Sequence, residues 1–328
     1  MTVTFLGLGR MGRILAGHLV DDGRELLVWN RTSSVADDFV REGVRVASDV
    51  AEAVTEAPVV ISAFFGPDAV RETLVEADLP WSRGALWIDI TTVGPDDARS
   101  VAQWAERAGV RYVHSPVVGT LLPARNRALG VLLGGAAGDV AEARTFVEAW
   151  ADPGRLRTFD TPAQAATAKL IANLGLAVSM QGLVEALRLG ASEGIDADGV
   201  LAALDKTALG TISGLKADFV RADDYSDTQF SAGLLAKDAA LMLAASDVGR
   251  RPSGHQGCTL LTARGGAGRS GRRGLLGHCS TGGRDLSLTE ARTIGMVITR
   301  TAEPASIRCS GLSALSTNVQ SNGAAKPM

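Results

Sequence analysis

Cysteine is scarce in this sequence of 328 residues: the three cysteines, Cys258, Cys279 and Cys309, all follow residue 249. Residues 1–249 therefore contain no disulfide, no thiol nucleophile and no cysteine ligand for a metal. The amino terminus lacks a basic segment followed by an apolar one, and no stretch approaches about 18 uninterrupted apolar residues. From these absences we expect a soluble, cytoplasmic protein without a membrane span.

Aromatic residues are also few, at 5%, and none follows Phe230. The net charge is −3, but residues 250–328 carry 11 basic and 3 acidic residues (+8), which leaves 22 basic and 33 acidic residues (−11) in residues 1–249. An acidic body, and a basic tail without aromatic side chains to stack on bases, both argue against nucleic acid as a partner.

The first 160 residues contain an alternation of strand and helix patterns. Short β-rich or apolar runs predict strands at 2–6, 25–29, 44–46, 58–63, 85–90 and 110–114, and helical patterns such as 96–108 lie between them. This alternation is typical of a doubly wound parallel sheet covered by helices on both faces. We therefore predict an α/β domain at 1–160.

Helical patterns alone follow, and they predict an all-α domain at 161–249. The predicted helices are 163–189, 197–206 and 231–247. The first is apolar on nearly every face, so we expect it in the middle of that domain or in a dimer interface.

A glycine-rich turn, Gly7-Leu8-Gly9-Arg10-Met11-Gly12, joins the first strand to the first helix. The first glycine permits a tight turn, the second lets the backbone approach a pyrophosphate, and the third lets the helix pack closely on the strand. Free N–H groups at the helix start then face the anion. A turn that merely connects two elements is the alternative, but the flanking strand and helix favour a dinucleotide site at 7–12.

The second predicted strand ends at Asn30-Arg31-Thr32. Dinucleotide sites that take NAD usually place an Asp or Glu here to bind the ribose hydroxyls. A guanidinium beside hydroxyl groups instead suits a 2′-phosphate. We predict NADPH as the cofactor, the alternative being an exposed arginine in a turn.

Two polar residues interrupt the apolar helix at 163–189. Lys169 and Asn173 are four positions apart and therefore share one face. One interpretation makes Lys169 a proton donor whose pKa is lowered by burial, and the other a lysine that reaches solvent at the end of the helix. The spacing favours neither. In the helix at 231–247, the pattern around Lys237-Asp238 favours a buried ion pair or a helix surface.

In their order along the chain, these segments resemble the β-hydroxyacid dehydrogenase family, which includes 3-hydroxyisobutyrate dehydrogenases and semialdehyde reductases. The family is related to 6-phosphogluconate dehydrogenase and to the imine reductases. The segments that carry the resemblance are GLGRMG at 7–12, VWNRT at 28–32, FFGPDAV at 64–70, WIDITTVGP at 87–95, HSPVVGT at 114–120, AKLIANL at 168–174 and FSAGLLAKDAALML at 230–243.

The resemblance implies a Rossmann domain, an all-helical domain and a homodimer whose long helices interlock. It also implies roles for individual residues: Lys169 resembles the catalytic lysine and Asn173 the asparagine on the substrate side. Further residues match positions that line the nicotinamide half of the cofactor or the adjacent cleft; these are Phe65, Pro67, Thr92, Lys237 and Asp238.

The chain departs from the family at the segment that binds the substrate. Where the family has Asp-Ala-Pro-Val-Ser-Gly-Gly, with the serine and glycines on a carboxylate, this chain has HSPVVGT at 114–120. Val118 therefore replaces the serine. Either Thr120 and backbone N–H groups near Gly119 make that contact instead, or the substrate presents an apolar group to Val118.

The resulting prediction is an NADPH-dependent oxidoreductase that transfers a hydride between NADP(H) and a small carbonyl or alcohol, similar to a 3-hydroxy acid or semialdehyde, with Lys169 as general acid and base. Alternatives are C=N reduction, as in imine reductases, and a non-catalytic interaction protein of this fold. Lys169 favours carbonyl chemistry because imine reductases usually lack the lysine. No metal is expected.

The basic tail at 250–328 is rich in glycine, arginine and serine. His255-x-x-Cys258 and His278-Cys279 suggest zinc, but no strand or helix pattern would hold such a site. We hypothesise that the tail is a frameshifted reading of a region where the family has another long helix; the alternative is a genuine but poorly ordered segment. Resequencing the gene distinguishes the two.

Overall fold

Six strands pair in parallel in the order β3-β2-β1-β4-β5-β6, which confirms the predicted α/β fold. They are β1 (Val3–Leu6), β2 (Leu26–Trp29), β3 (Arg45–Val46), β4 (Val59–Ser62), β5 (Leu86–Asp89) and β6 (Arg111–His114). This computed structural model describes residues 2–55, 57–225 and 229–247, with the backbone of 298–300 and 307–309. The strand order reverses between β1 and β4, and the crevice beyond the carboxyl ends of such strands is where ligands bind.

One edge of the otherwise parallel sheet contains antiparallel pairs, which the sequence did not predict. The structure adds β7 (Val117–Val118), β8 (Leu129–Gly134) and β9 (Ala151–Phe159). β8 runs antiparallel to β6 and β7 and parallel to β9. The apolar run at 129–134 could have predicted a strand there. Its antiparallel direction, however, depends on pairing with β6 and β7, which are separate segments of the chain.

Helices cover both faces of the sheet and enclose two apolar cores. They are α1 (Arg10–Asp21), α2 (Asp37–Arg41), α3 (Val50–Val54), α4 (Pro67–Val70), α5 (Pro95–Ala108), α6 (Leu121–Arg125) and α7 (Ala137–Val147). A 3₁₀ turn, Ser33–Ala36, leads into α2. α5 begins and ends with residues that are typical of helix termini. Pro95 is its first residue, and Gly109 ends it in the left-handed conformation at φ 70°.

The predicted helical region contains α8 (Pro162–Ser192), α9 (Ala197–Leu204), α10 (Gly210–Ala222) and α11 (Ala232–Asp247). The sequence did not predict α10. The chain forms two compact units, one of residues 1–176 and 227–249 and the other of 177–226 and 250–328. The boundaries predicted at 160 and 249 stay predictions.

α8 is less buried than expected. Its apolar side chains Ile171, Val178 and Leu189 are 63%, 63% and 70% exposed, so within the described residues the helix does not lie in the middle of a domain. The alternative, a dimer interface, stays a prediction. By length and composition α8 is also apolar enough to cross a membrane, with a mean hydropathy of 1.5 over 18 residues; a single such helix is weak evidence for a membrane span.

The tail at 250–328, with its proposed frameshift and its histidines and cysteines, lies almost wholly outside the described residues. Only two short strands are described there, β10 (Ile298–Arg300) and β11 (Ile307–Cys309), which pair antiparallel.

Candidate active site

The glycine turn at the start of α1 is tightly packed at its first and third glycines and open at its second. Gly7 has φ +94°, and a Cβ there would lie 2.5 Å from the carbonyl oxygen of Ala63. A Cβ on Gly12 would overlap the carbonyl oxygen of Gly7, so helix and turn could not pack. A Cβ on Gly9 meets nothing within 4 Å. The first and third glycines thus serve the fold, while the second faces open space at the helix start, which has no side-chain cap.

Asn30 braces this turn from the end of β2. Its Oδ1 accepts a hydrogen bond of 2.9 Å from the N–H of Leu8, and its Nδ2 donates to the carbonyl oxygen of Thr32 at 2.9 Å. The Leu8 side chain lies in the core, and its N–H is already bonded to Asn30. Neither group is therefore free to bind a ligand in the crevice. Arg31 and Thr32 are exposed at the end of the strand.

A second group of predicted residues meets at the carboxyl ends of β4 and β5. Thr92 accepts a hydrogen bond of 3.3 Å at its carbonyl oxygen from Lys237 Nζ. The same ammonium lies 5.8 Å from the ring centre of Phe65, which is 64% exposed. Pro67, at the start of α4, follows Phe65 by two positions. The structure therefore brings Phe65, Thr92 and Lys237 together.

Lys169, Asn173, Asp238 and Lys237 form one buried chain of hydrogen bonds. Lys169 Nζ donates to Asn173 Oδ1 at 3.0 Å, and Asn173 Nδ2 donates to Asp238 Oδ2 at 2.5 Å. Lys237 Nζ donates to Asp238 Oδ1 at 2.6 Å. Lys169 is only 8% exposed, so the interpretation in which it reaches solvent is wrong. The pair Lys237-Asp238 is the buried ion pair that the pattern favoured.

Burial lowers the pKa of Lys169 to about 8. The loss of solvent around the ammonium is the main cause; Asp238 raises the pKa and Lys237 lowers it. An amine with a pKa near neutrality can both give and take a proton at physiological pH.

The loop at 118–120 holds a contact that the sequence did not reveal. Val118 is half-buried, Gly119 has φ +144°, and Thr120 Oγ1 donates a hydrogen bond of 3.1 Å to Gln229 Oε1. No periodicity or motif marked Gln229, because the two residues are 109 positions apart.

A buried polar cluster beneath the crevice was also missed. Asp89 is fully buried and accepts hydrogen bonds from Ser62 Oγ, the N–H of Thr91 and the hydroxyl of Tyr112. Thr91 Oγ1 in turn accepts the N–H of Phe64. Asp89, through Thr91, thus fixes the turns that follow β4 and β5. Within residues 2–55, 57–225 and 229–247, no group of three or more His, Cys, Asp or Glu side chains could hold a metal ion.

Comparison with known families agrees with this geometry. The NAD-binding domain of 6-phosphogluconate dehydrogenase matches residues 2–166, and the NAD-binding domain of NADP-dependent 3-hydroxyisobutyrate dehydrogenase matches residues 163–257. The chain belongs to the β-hydroxyacid dehydrogenase family. It is therefore an NAD(P)-dependent oxidoreductase of the hydroxyacid dehydrogenase type, with a nicotinamide cofactor.

Individual members of the β-hydroxyacid dehydrogenase family are moderately similar. Glyoxylate/succinic semialdehyde reductase 1 of Arabidopsis thaliana is 30% identical over 214 residues, covering 64% of this chain and 73% of that protein. The structure of 3-hydroxyisobutyrate dehydrogenase from Mycobacterium tuberculosis with L-serine has a TM-score of 0.67 at 26% identity, covering 77% and 89%. A reductive aminase from Aspergillus terreus with NADPH and ethyl levulinate, at 22% identity and a TM-score of 0.57, covers 75% and 94% and shares the fold.

Proposed function

We propose that this family member is an NADPH-dependent reductase or dehydrogenase of small carbonyl and alcohol substrates, with Lys169 as general acid and base. The observation that carries the proposal is the buried Lys169, whose ammonium has one acceptor among the described residues, Asn173 Oδ1, and a pKa of about 8. A buried lysine without such a task would cost stability.

In the reduction direction, NADPH, when bound, supplies the hydride that forms the new C–H bond at the carbonyl carbon. The electron pair of the C=O bond moves to oxygen, and Lys169 Nζ donates a proton to that oxygen, leaving an alcohol and a neutral amine. Asn173 Oδ1 holds the amine, and the second N–H of its Nδ2 group is available to the substrate oxygen because Asp238 takes only one. Burial of the chain excludes water from the proton transfer.

The preference for NADPH rests on Asn30-Arg31-Thr32 at the end of β2. Asn30 braces the glycine turn, which leaves Arg31 and Thr32 exposed for a 2′-phosphate. No acidic residue stands there to bind the ribose hydroxyls of NAD.

A panel assay tests the proposed function. Oxidation of NADPH is followed with glyoxylate, succinic semialdehyde and simple ketones, and in parallel with ketones plus an amine. Turnover of a carbonyl without amine supports the proposal. Turnover only with amine present would instead indicate imine reduction, and cofactor binding without any turnover would indicate an interaction protein.

We also propose a homodimer, since the exposed apolar side chains of α8, Ile171, Val178 and Leu189, need a covering surface. Light scattering of the purified protein tests this, and a monomer at micromolar concentration would overturn it. Ile171→Glu is expected to weaken the dimer.

A further inference from the structure

Thr91 joins the turns that follow β4 and β5. Ser62 and Asp89 are paired residues at the ends of these two neighbouring strands, and Phe64 and Thr91 each lie two positions further along the chain. The Oγ1 of Thr91 accepts a hydrogen bond of 3.0 Å from the N–H of Phe64. Thr91 is only 2% exposed, so water competes little for this bond. One buried threonine hydroxyl therefore ties the two turns together.

A buried carboxylate fixes the orientation of Thr91. The N–H of Thr91 donates a hydrogen bond of 3.1 Å to Asp89 Oδ1, and the same carboxylate accepts bonds from Ser62 and Tyr112. Asp89 and Ser62 are fully buried. Thr91 is thus attached to the core of the sheet, and it holds Phe64 from a fixed position.

The residues that follow Phe64 and Thr91 contact Lys237. The carbonyl oxygen of Thr92 accepts a hydrogen bond of 3.3 Å from Lys237 Nζ, and the ring centre of Phe65 lies 5.8 Å from the same ammonium. The next residue, at position 66, is also close, since a Cβ there would lie 3.2 Å from Lys237 Cδ. The lysine side chain therefore contacts both of the turns that Thr91 joins.

Three hydrogen bonds connect Lys237 to Lys169. Lys237 donates to Asp238 at 2.6 Å, Asn173 donates to Asp238 at 2.5 Å, and Lys169 donates to Asn173 at 3.0 Å. A shift of Lys237 would therefore change the groups that hold and orient Lys169. Catalysis is sensitive to such shifts, because a displacement of about 1 Å can lower a rate by about 10²-fold.

We propose that Thr91 is a positioning residue for the reduction of the carbonyl. Its hydroxyl holds the turns at 64–66 and 91–92 at the spacing that places Lys237, and Lys237 in turn places Asp238, Asn173 and Lys169. The inference rests on the proposed function, in which Lys169 transfers the proton. Within the part of the chain that the structure describes, the Thr91 hydroxyl bonds to Phe64 and not to Lys169, so its effect on the lysine is indirect.

Substitutions that remove or keep the hydroxyl of Thr91 test this role. Thr91→Val removes the accepting oxygen at nearly constant size, whereas Thr91→Ser keeps it. With glyoxylate, succinic semialdehyde and simple ketones as probes, Thr91→Val is expected to lower kcat about 10-fold, as for loss of one hydrogen bond, with little change in KM. Thr91→Ser should retain most of kcat. An unaltered kcat in the valine variant, or an equal loss in the serine variant, would overturn the role.

A second variant and a matched control allow for effects on folding. Thr91→Ala removes the same oxygen without placing a methyl group against the N–H of Phe64, and it should show the same loss of kcat. Thr4→Val is the control, because Thr4 is 1% exposed and pairs with Val60 inside the sheet; it should leave kcat unchanged. Equal losses of kcat in Thr4→Val and Thr91→Val would indicate a general loosening of the sheet and would overturn the inference.

A double variant shows whether Thr91 acts through Lys237. Lys237→Met removes the ammonium and keeps an apolar side chain of similar length. If the hydroxyl acts by placing that ammonium, Thr91→Val/Lys237→Met should have the kcat of Lys237→Met alone. A purely structural role would instead lower kcat by a further factor of about 10, and that result would overturn the route through Lys237.

Failure of the inference is distinguishable from failure of the proposed function. If the unaltered protein reduces a carbonyl and Lys169→Ala loses this activity, while Thr91→Val keeps it in full, only the inference fails. If the unaltered protein reduces none of the probes, or Lys169→Ala is as active as the unaltered protein, the proposed function fails and the inference fails with it.

Discussion

Asn173 donates a hydrogen bond of 2.5 Å from Nδ2 to Asp238 Oδ2, and this bond decides which end of the amide faces Lys169. With Nδ2 held by a carboxylate, Oδ1 is left to accept the N–H of Lys169. Asp238 thereby orients the residue that holds the lysine.

The first prediction concerns Lys169 itself. Lys169→Ala should lower kcat for carbonyl reduction by about 10²- to 10⁴-fold, the usual contribution of a general acid. The Kd of NADPH, measured by its fluorescence, should change little, because Lys169 bonds Asn173 rather than the cofactor residues of the glycine turn. Unchanged turnover across the carbonyl panel would contradict the assigned role.

The pH dependence of the reaction follows from the lowered pKa of Lys169. Reduction needs the ammonium form, so its rate should be level below about pH 8 and fall above it. Alcohol oxidation needs the neutral amine and should show the opposite dependence. Both are read from kcat against pH, and a reduction rate that stays level to pH 10 would rule out Lys169 as the proton donor.

Replacing Asp238 should move that profile. The carboxylate raises the pKa of Lys169, so Asp238→Asn should shift the fall in reduction rate to lower pH. The asparagine can still accept from Asn173, whereas Asp238→Ala cannot, and the alanine variant should also lose kcat. A shift to higher pH in Asp238→Asn would contradict the electrostatic explanation.

Arg31 should decide between the two nicotinamide cofactors. Arg31→Ala is expected to raise the Kd of NADPH about 10- to 100-fold, which corresponds to the free energy of one hydrogen bond to a charged group. The Kd of NADH should stay nearly the same. Arg41→Ala is the control, because Arg41 is an exposed arginine that pairs with Asp38 on α2. Equal losses for the two cofactors would remove the phosphate assignment.

Asp89 should matter for stability. Asp89→Ala leaves the donors Ser62, Thr91 and Tyr112 without their acceptor in a buried site, so the free energy of unfolding should fall by about 3 kcal/mol. Asp89→Asn keeps one accepting oxygen and should cost less. Urea unfolding of both variants checks this, and an alanine variant as stable as the unaltered protein would refute it.

Local spacing along the chain was enough to predict much of this protein. The six parallel strands, the glycine turn and the placement of Lys169 one helical turn from Asn173 depend on neighbours in sequence, whose geometry follows from strand and helix periodicity. The same spacing could not say whether Lys169 was buried, because burial depends on which elements cover that face of α8.

Contacts between distant segments were decided only by the tertiary structure. Asp238 meets Asn173 across 65 positions and Gln229 meets Thr120 across 109, while β8 joins the sheet antiparallel to β6. The sequence by itself determined the α/β architecture and the chemical groups of the site. Packing alone determined the direction of each hydrogen bond and the lowered pKa of Lys169, because desolvation and orientation arise only when separate elements enclose a side chain.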